Sequence, residues 1–505
     1  MKYMKRRQTA SAGLALALSA ASACGALRAG ELRDLWYFGE MHYFADREQF
    51  VIATNVVDRA AKAGYTGCAC ITGRDNFGNW GERVSRNDGS DYFVSNFAGV
   101  DAWWRLSPER QARFRAFAGA CRESGVEFIP LVWSVGYGSP NLDDPSRVAA
   151  WPSRSMPYAA AAGRAVAVHE AVPVDFSPAL GWGCATNASR RAVRAPLKPF
   201  RRYRLSCEVK TDGMPPFVRG SQIMILCDAN HTLGHTILTM EPTQDWTPVG
   251  FGFNPGGQTN CVVHFICNAK SGRFAVRNMR LEAVGVEWPV RREGCPLAVR
   301  DAATGRVYEE GRDYSRVPGL DRISFNRPSK EMELALLPGG AIAEGAQLLV
   351  DAYEPVFARG VQASSCLVNP GLYDYFDRSA AEIVREFGCR KWFLSLDEVR
   401  VECRCELCAK SGLSMGARLA GSIRRMRETI LRHRPDAELF MWSDMLDENH
   451  NAAPTKGWYY QCETPFAGAW KDVPRDIVMV PWWTTKCGIS LPWFSERGFK
   501  TLGGS

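Results

Sequence analysis

The feature that most constrains this chain is an alternation of strand-like and helix-like segments that starts near Leu35, stops, and resumes some two hundred residues later. "LWYFGEMHYF" reads as a strand and "REQFVIATNVVDRAAKAG" as an amphipathic helix. "YTGCACI" follows as a strand, "PERQARFRAFAGACRESG" as a helix opened by Ser107-Pro108, and "VEFIPLVW" as a third strand. Repeats of about thirty residues or more predict parallel strands with crossover helices. The pattern returns with "GLYDYFDRSAAEIVREFG" as a helix, then the strand "KWFLSLDE" and the long helix "SMGARLAGSIRRMRETILRHRP". The strands "AELFMWSD" and "DIVMVPWW" follow, with "FKTLGGS" as the start of another.

Between the two stretches lie short segments of period two, separated by Gly, Asn and Pro turns. "RRYRLSCEVKTDG", "SQIMILCDA", "TQDWTPVGFGF" and "TNCVVHFICNAKSGRFAVRNMRLEAV" alternate apolar and polar residues as a two-layer β-sandwich does. Several of these stretches resemble jelly-roll carbohydrate-binding modules. A smaller β segment, "LAVRDAATGRVYEEGRDY" to "AQLLVDAYEP", follows.

Two halves of one α/β unit must meet in space. The expected fold is therefore a (β/α)8 TIM-type barrel, short at its C-terminus, interrupted after its third strand by the sandwich. An open doubly wound sheet is the alternative, but the first strand turn carries no Gly-rich phosphate loop. The expected segments are 1–29 as a signal peptide, 30–155 and 358–505 as the two parts of the barrel, 156–288 as the sandwich and 289–357 as the small β segment.

The N-terminus has a basic region at Lys2, Lys5, Arg6 and Arg7, the apolar run "AGLALALSAASA", and an A-x-A site at Ala21-Ser22-Ala23. That order predicts export to the periplasm or beyond the cell. Cys24, directly after the site, leaves a lipid anchor open beside soluble export. No later stretch is apolar for long enough to span a membrane. The net charge of +8 is spread without a basic, aromatic-interleaved stripe, which argues against a nucleic-acid partner. Nothing in the sequence sets an oligomeric state.

Seventeen cysteines are too dilute over 505 residues for a disulfide scaffold, and most sit inside strand-like runs as small buried hydrophobes. "CRCELC", with Cys403, Cys405 and Cys408, stands apart. A local disulfide comes first among its readings, free thiols second and a metal third, because a structural zinc needs a fourth ligand and none is near in sequence. No cofactor and no metal is therefore assigned.

Candidate chemistry gathers where the strand runs end. "KWFLSLDE" ends in Asp397 and Glu398, "FMWSD" in Trp442 and Asp444, and "VMVPWW" in Trp482 and Trp483. Carboxylates can bind sugar hydroxyls or protonate a leaving oxygen, and indole faces can cover the apolar side of a pyranose. The bland alternative has Asp397 capping a helix, Glu398 paired in solvent with Arg400 or Arg404, and the tryptophans in the core.

"LVNPGLYDYFDRSAAEIVREFGCRKWFLSLDEV" is similar to the stretch of glycoside hydrolase family 20, the β-N-acetylhexosaminidases, that carries H-x-G-G-D-E. "ELFMWSDML", "EFIPLVWSVGYGSP" and "DIVMVPWW" resemble neighbouring strands of that family. The resemblance implies a retaining, substrate-assisted glycosidase needing no cofactor. In it Glu398 is the general acid/base and Asp397 orients a 2-acetamido group. Phe393, Ser395 and Leu396 stand where the family has His and two glycines, and Met41-His42 near the place of its first-strand Arg. Glu40, His42 and Asp444 are then the candidates for sugar hydroxyls. By that register the chain stops within a seventh strand. The expected partner is a glycan substrate, with the sandwich lying over the mouth of the barrel and restricting which glycans enter. Alternatives are a non-catalytic glycan-binding protein built on a degenerate barrel, and a purely structural exported protein.

Overall fold

The computed structural model describes residues 34–39, 47–70, 100–138, 140–141, 144–174, 180–183, 189–215, 223–228, 232–238, 241–267, 271–320, 330–358, 363–453 and 460–504. The expected signal peptide, with Cys24, lies outside the described residues, as do Glu40 and His42.

The chain begins with β1 (Trp36–Phe38), α1 (Arg47–Lys62), β2 (Gly67–Cys70), α2 (Pro108–Glu123) and β3 (Glu127–Val132). It then leaves along β4 (Ala150–Ala161) and β5 (Arg164–Ala167). Next come β6 (Glu170–Ala171), β7 (Leu180–Gly183), β8 (Ser189–Pro196), β9 (Tyr203–Asp212), β10 (Ile223–Asp228), β11 (Thr232–Leu238), β12 (Gln244–Phe253), β13 (Asn260–Cys267) and β14 (Arg273–Ala283). The return runs through β15 (Ala298–Asp301), β16 (Val307–Tyr308), β17 (Leu334–Ala335) and β18 (Gln347–Pro355). The last part holds α3 (Pro370–Phe387), β19 (Lys391–Leu394), α4 (Glu406–Ser411), α5 (Met415–His433), β20 (Glu438–Trp442), β21 (Val478–Val480) and α6 (Thr484–Ser495). Among the described residues no helix is long and apolar enough to cross a membrane.

The helices start where their capping residues require. Ser107 Oγ accepts from the Arg110 N–H at 3.4 Å ahead of Pro108, and Asn369 Oδ1 accepts from the Gly371 N–H at 3.0 Å ahead of Pro370. Ser414 Oγ accepts from the Ala417 N–H at 3.2 Å. A side-chain oxygen followed by proline satisfies an orphan donor and presets the first helical φ. Gly388 closes α3 in the left-handed conformation, which spares a Cβ clash there.

Six strands form one parallel sheet in the order β1-β2-β3-β19-β20-β21. Alternate side chains point to opposite faces. Trp392 and Leu394 join Val132, Leu439 and Met441 in the core against α1, α2, α3 and α5. Phe393 points the other way, into a second apolar cluster with Ile129, Phe440 and Trp442. That second face is concave. Trp36 on β1 meets Phe440 on β20 with ring centroids 4.4 Å apart, although three strands separate them in the sheet.

The expected (β/α)8 barrel is not what the chain forms. The protein is mostly β, and β4 to β18 lie in antiparallel sheets. The parallel sheet has six strands and curls only part of the way round, and among the described residues nothing pairs β1 with β21. Residues 363–369 contribute one isolated bridge, Val148 to Ser365, and "FKTLGGS", expected as the start of a strand, contributes one, Met479 to Thr501. An apolar run of strand composition here makes only a single rung.

The excursion is held at its base by its own hydrogen bonds. β4 pairs antiparallel with β18 from Ala150↔Pro355 to Ala159↔Gln347. Around them a six-stranded sheet forms in the order β16-β15-β18-β4-β5-β17, so the small β segment shares a sheet with β4 and β5. The expected boundary at 156 falls inside β4. Beyond it lies the sandwich, with one sheet ordered β11-β10-β13-β8 and the other β12-β9-β14-β6, β7 also pairing β14. Tyr203, Leu205, Cys207 and Val209 alternate into its core with Val263, Phe265, Phe274 and Val276.

The sandwich packs on the rest of the chain through polar and aromatic contacts. Arg202 is paired with Glu287 at 3.0 Å and Glu354 at 3.4 Å, and all three side chains are buried. Trp151 donates to the Glu402 carbonyl at 2.6 Å while the Arg404 guanidinium lies 3.9 Å over its ring. Gln461 Nε2 donates to the Leu233 carbonyl on β11 at 3.2 Å. Gln461 lies between β20 and β21, so the sandwich touches the loop that follows β20.

Candidate functional site

β3 and β19 lie side by side, and a residue with positive φ follows each, Trp133 at 57° directly after β3 and Glu398 at 49° in the turn four residues past β19. A non-glycine residue in this region stores backbone strain of about 1–3 kcal/mol, and such residues cluster at functional sites. The Glu398 turn is held on three sides. Its N–H donates to Asp444 Oδ2 at 3.1 Å. Its carboxylate is ion-paired through Oε1 with Arg400, which is fully buried, and Oε2 accepts from the Tyr137 hydroxyl. Beneath the turn lies Gly136, where an added Cβ would stand 2.4 Å from the Asp397 carbonyl oxygen.

Asp397 and Glu398 are both half-buried. Ser395 Oγ donates to Asp397 Oδ1 at 3.2 Å. Asp397 caps no helix, and Arg404 pairs with Glu463 at 2.8 Å rather than with Glu398. Burial, followed by the charges of Asp397 and Glu398, pushes the Tyr137 phenol well above its ordinary value, so Tyr137 stays the donor.

Asp444, just past the end of β20, is buried. Its Oδ2 takes a second hydrogen bond from Asn451 Nδ2 at 2.7 Å, while Oδ1 has no partner among the described residues. Burial raises its carboxyl above the ordinary range, against the opposing effect of His450. Burial likewise lowers the His450 imidazole. The His450 ring lies 5.0 Å from Trp482 and 4.9 Å from Trp483. The two indoles stack 6.1 Å apart at 11°, and Trp483 is 46% exposed. His450 Nε2 and Trp482 Nε1 are, like Asp444 Oδ1, buried and unpartnered among the described residues.

The structure thus brings Glu398 to Asp444, and brings Trp482 and Trp483 together beside His450. Trp442 belongs to the concave-face cluster, stacked on Phe38 at 4.8 Å and edge-on to Phe393 at 4.7 Å. Glu40 and His42 lie outside the described residues. Trp288 is in the sandwich core, Trp246 is half-buried with Arg277 4.3 Å over its ring, and the Trp182 side chain is not described. Sequence reasoning missed Tyr137, His450 and Asn451, and treated Arg400 only as a solvent partner. Tyr137 carried one usable signal, a lone aromatic between two glycines just past a strand end.

No family model matches this chain, and no curated protein matches it, so the hexosaminidase resemblance has no counterpart beyond its motif residues. Among solved structures the chain is weakly similar to carbohydrate-binding modules. One is a family 16 carbohydrate-binding module, at 21% identity over 18% of this chain and 70% of the other, with a TM-score of 0.15. Another is the module of Cellvibrio mixtus lichenase 5A in complex with cellotriose, at 10% identity over 22% and 97%, with a TM-score of 0.15. A third, described as "CBM4 structure and function", is 14% identical over 28% and 83%, with a TM-score of 0.16.

Proposed function

We propose that this is an exported glycan-binding protein that seats a sugar beside the strand ends of its parallel sheet. One observation carries the reading. Asp444 Oδ1, His450 Nε2 and Trp482 Nε1 are buried without partners next to two stacked indoles, the outer of which is open to solvent. An unsatisfied buried polar group costs about 1–3 kcal/mol, which a ligand hydroxyl would recover. The exposed Trp483 face suits the C–H face of a pyranose. Export rests on the N-terminal pattern of residues 1–29.

Hydrolysis is the second reading, and the two carboxyls favour it. Glu398 is paired with Arg400, while burial raises the Asp444 carboxyl above its ordinary range, and acid–base chemistry uses carboxyls held in unlike surroundings. In the substrate-assisted scheme Glu398 would be the acid/base and Asp397 the residue that orients an acetamido group. Both Glu398 oxygens are already engaged, Oε1 by Arg400 and Oε2 by the Tyr137 hydroxyl, which weighs against Glu398 reaching a leaving oxygen.

The test is a glycan panel probed for binding and for hydrolysis with wild type, Trp483→Ala, Glu398→Gln and Asp444→Asn side by side. Binding that falls about ten-fold or more in Trp483→Ala, with no turnover by wild type, supports the first reading. Turnover lost in Glu398→Gln or Asp444→Asn moves the conclusion to the second. No binding and no turnover by folded wild type overturns both.

A further inference from the structure

Cys366 precedes α3, whereas Cys403, Cys405 and Cys408 follow β19. Even so, all four Sγ atoms lie within 4.8 Å of one another, and all four side chains are buried. The fourth ligand that the C-x-C-x2-C stretch lacked is thus supplied by a distant segment. None of the four is in a disulfide.

The separations discriminate between chemistries. Cys366 Sγ stands 3.9 Å from Cys405 Sγ and 3.7 Å from Cys408 Sγ. A disulfide would bring a pair to about 2.05 Å. Tetrahedral zinc with Zn–S of about 2.3 Å sets each S···S edge at about 3.8 Å. An iron–sulfur cluster interposes inorganic sulfide and more than one iron, and so needs a wider cage.

The surroundings fit an anionic centre. Four thiolates around one divalent ion carry a net negative charge. Arg292 Nη1 lies 3.5 Å from Cys405 Sγ and Nη2 lies 3.7 Å from Cys403 Sγ. The Ala150 N–H donates to Cys403 Sγ at 3.3 Å. The half-buried Arg292 guanidinium, which also donates to the Ser146 and Val148 carbonyls, and the Ala150 N–H are donors of the kind that usually surround a metal–ligand set.

We propose that Cys366, Cys403, Cys405 and Cys408 hold one zinc ion in a structural site. The ion would pin the segment that leads into α3 to the loop carrying Glu398 and Arg400, beside the point where the excursion leaves along β4.

The experiment uses the full chain, purified without chelator from zinc-supplemented medium. Elemental analysis is expected to find about one zinc per chain, and X-ray absorption at the zinc edge a shell of four sulfurs at about 2.3 Å. Cys366→Ser and Cys408→Ser should each lose the stoichiometric metal. Arg292→Met should keep the ligands but release zinc to a chromogenic chelator about 10–100-fold more readily. Should the cysteine variants fail to fold, the absorption spectrum of wild type still decides, as does its cobalt form through the sulfur-to-cobalt charge-transfer band. Folded protein free of metal with four alkylatable thiols overturns the proposal. So does a disulfide among the four, or iron in the same shell. None of these readouts involves a glycan, so failure here leaves the glycan reading standing.

Discussion

Arg400 is fully buried and spends its charge on Glu398, two residues earlier in the chain. The pair sits under a strained turn at the end of β19. Replacing Arg400 with Met leaves the Glu398 carboxylate facing a low-dielectric wall without its cation. Removing one partner of a buried pair costs about 3–5 kcal/mol. Arg400→Met should therefore lower the denaturant midpoint strongly, and Arg400→Met with Glu398→Gln should recover part of the loss. Equal midpoints for the single and double variants would contradict the pairing.

Gly136→Ala should damage the site more than the fold. The added methyl would press on the Asp397 carbonyl, which must move, carrying Glu398 with it. Overpacking of this kind costs about 1–3 kcal/mol. The expected outcome is a folded protein, by circular dichroism, with glycan binding reduced at least as far as in Trp483→Ala. Wild-type affinity in a folded Gly136→Ala would count against any role for that turn in recognition.

His450 gives the protein a pH dependence of known sign. Burial, the leading cause, lowers its imidazole, and Lys486 acts the same way, while Asp444, Asp447 and Glu398 pull it up. The unfolded chain takes up that proton near about 6.5, before the folded chain does. Between the two values the unfolded state holds more protons, so stability falls as pH drops through that window. Asp444, with its carboxyl raised, works oppositely: its contribution falls as pH climbs above about 3.9. Urea midpoints from pH 7 to 5 should decline less steeply in His450→Gln than in wild type. Superimposable profiles would show that His450 does not titrate in this way.

The Arg202 network joins the sandwich to the sheet at its base. Glu287 is buried, which pushes its carboxyl up, but Arg202 and Arg204 outweigh burial and leave it below the ordinary range. Glu354 remains raised, burial prevailing. Arg202→Met would strand Glu354 and leave Glu287 with Arg204 alone, and should destabilise the protein by about 3–5 kcal/mol at neutral pH. Acidification should narrow the gap as the carboxylates gain protons. A gap that stays constant from pH 7 to 4 would argue that the network is solvated rather than buried.

Local order was legible in the sequence, and closure was not. Ser107-Pro108, Asn369-Pro370 and Ser414 marked helix starts because capping is a matter of a few neighbouring atoms. The alternation in β9 showed its buried face for the same reason. The number of strands was misjudged because a lone rung such as Met479 to Thr501 and a full strand share an apolar composition, and only partners far away in sequence separate them. Glu398 and Asp444 were found as strand-end carboxylates. Their control by Arg400, Tyr137 and His450 was missed, since each depends on which loops meet beyond the sheet. Cys366 shows this most plainly: the three neighbouring cysteines were conspicuous, and the fourth is adjacent only in space.

The pairing of β4 with β18 has a further consequence for how the chain is connected. The outgoing and returning strands run side by side, and Val148 bridges Ser365 just below them. Seen from the parallel sheet, the long excursion between β3 and α3 therefore occupies no more of the contour than a tight turn would. The closure entropy of a loop that long falls on the excursion's own folding rather than on the docking of β19 against β3. The same two strands form the base on which the sandwich stands, tied to it where Arg202 meets Glu354 on β18.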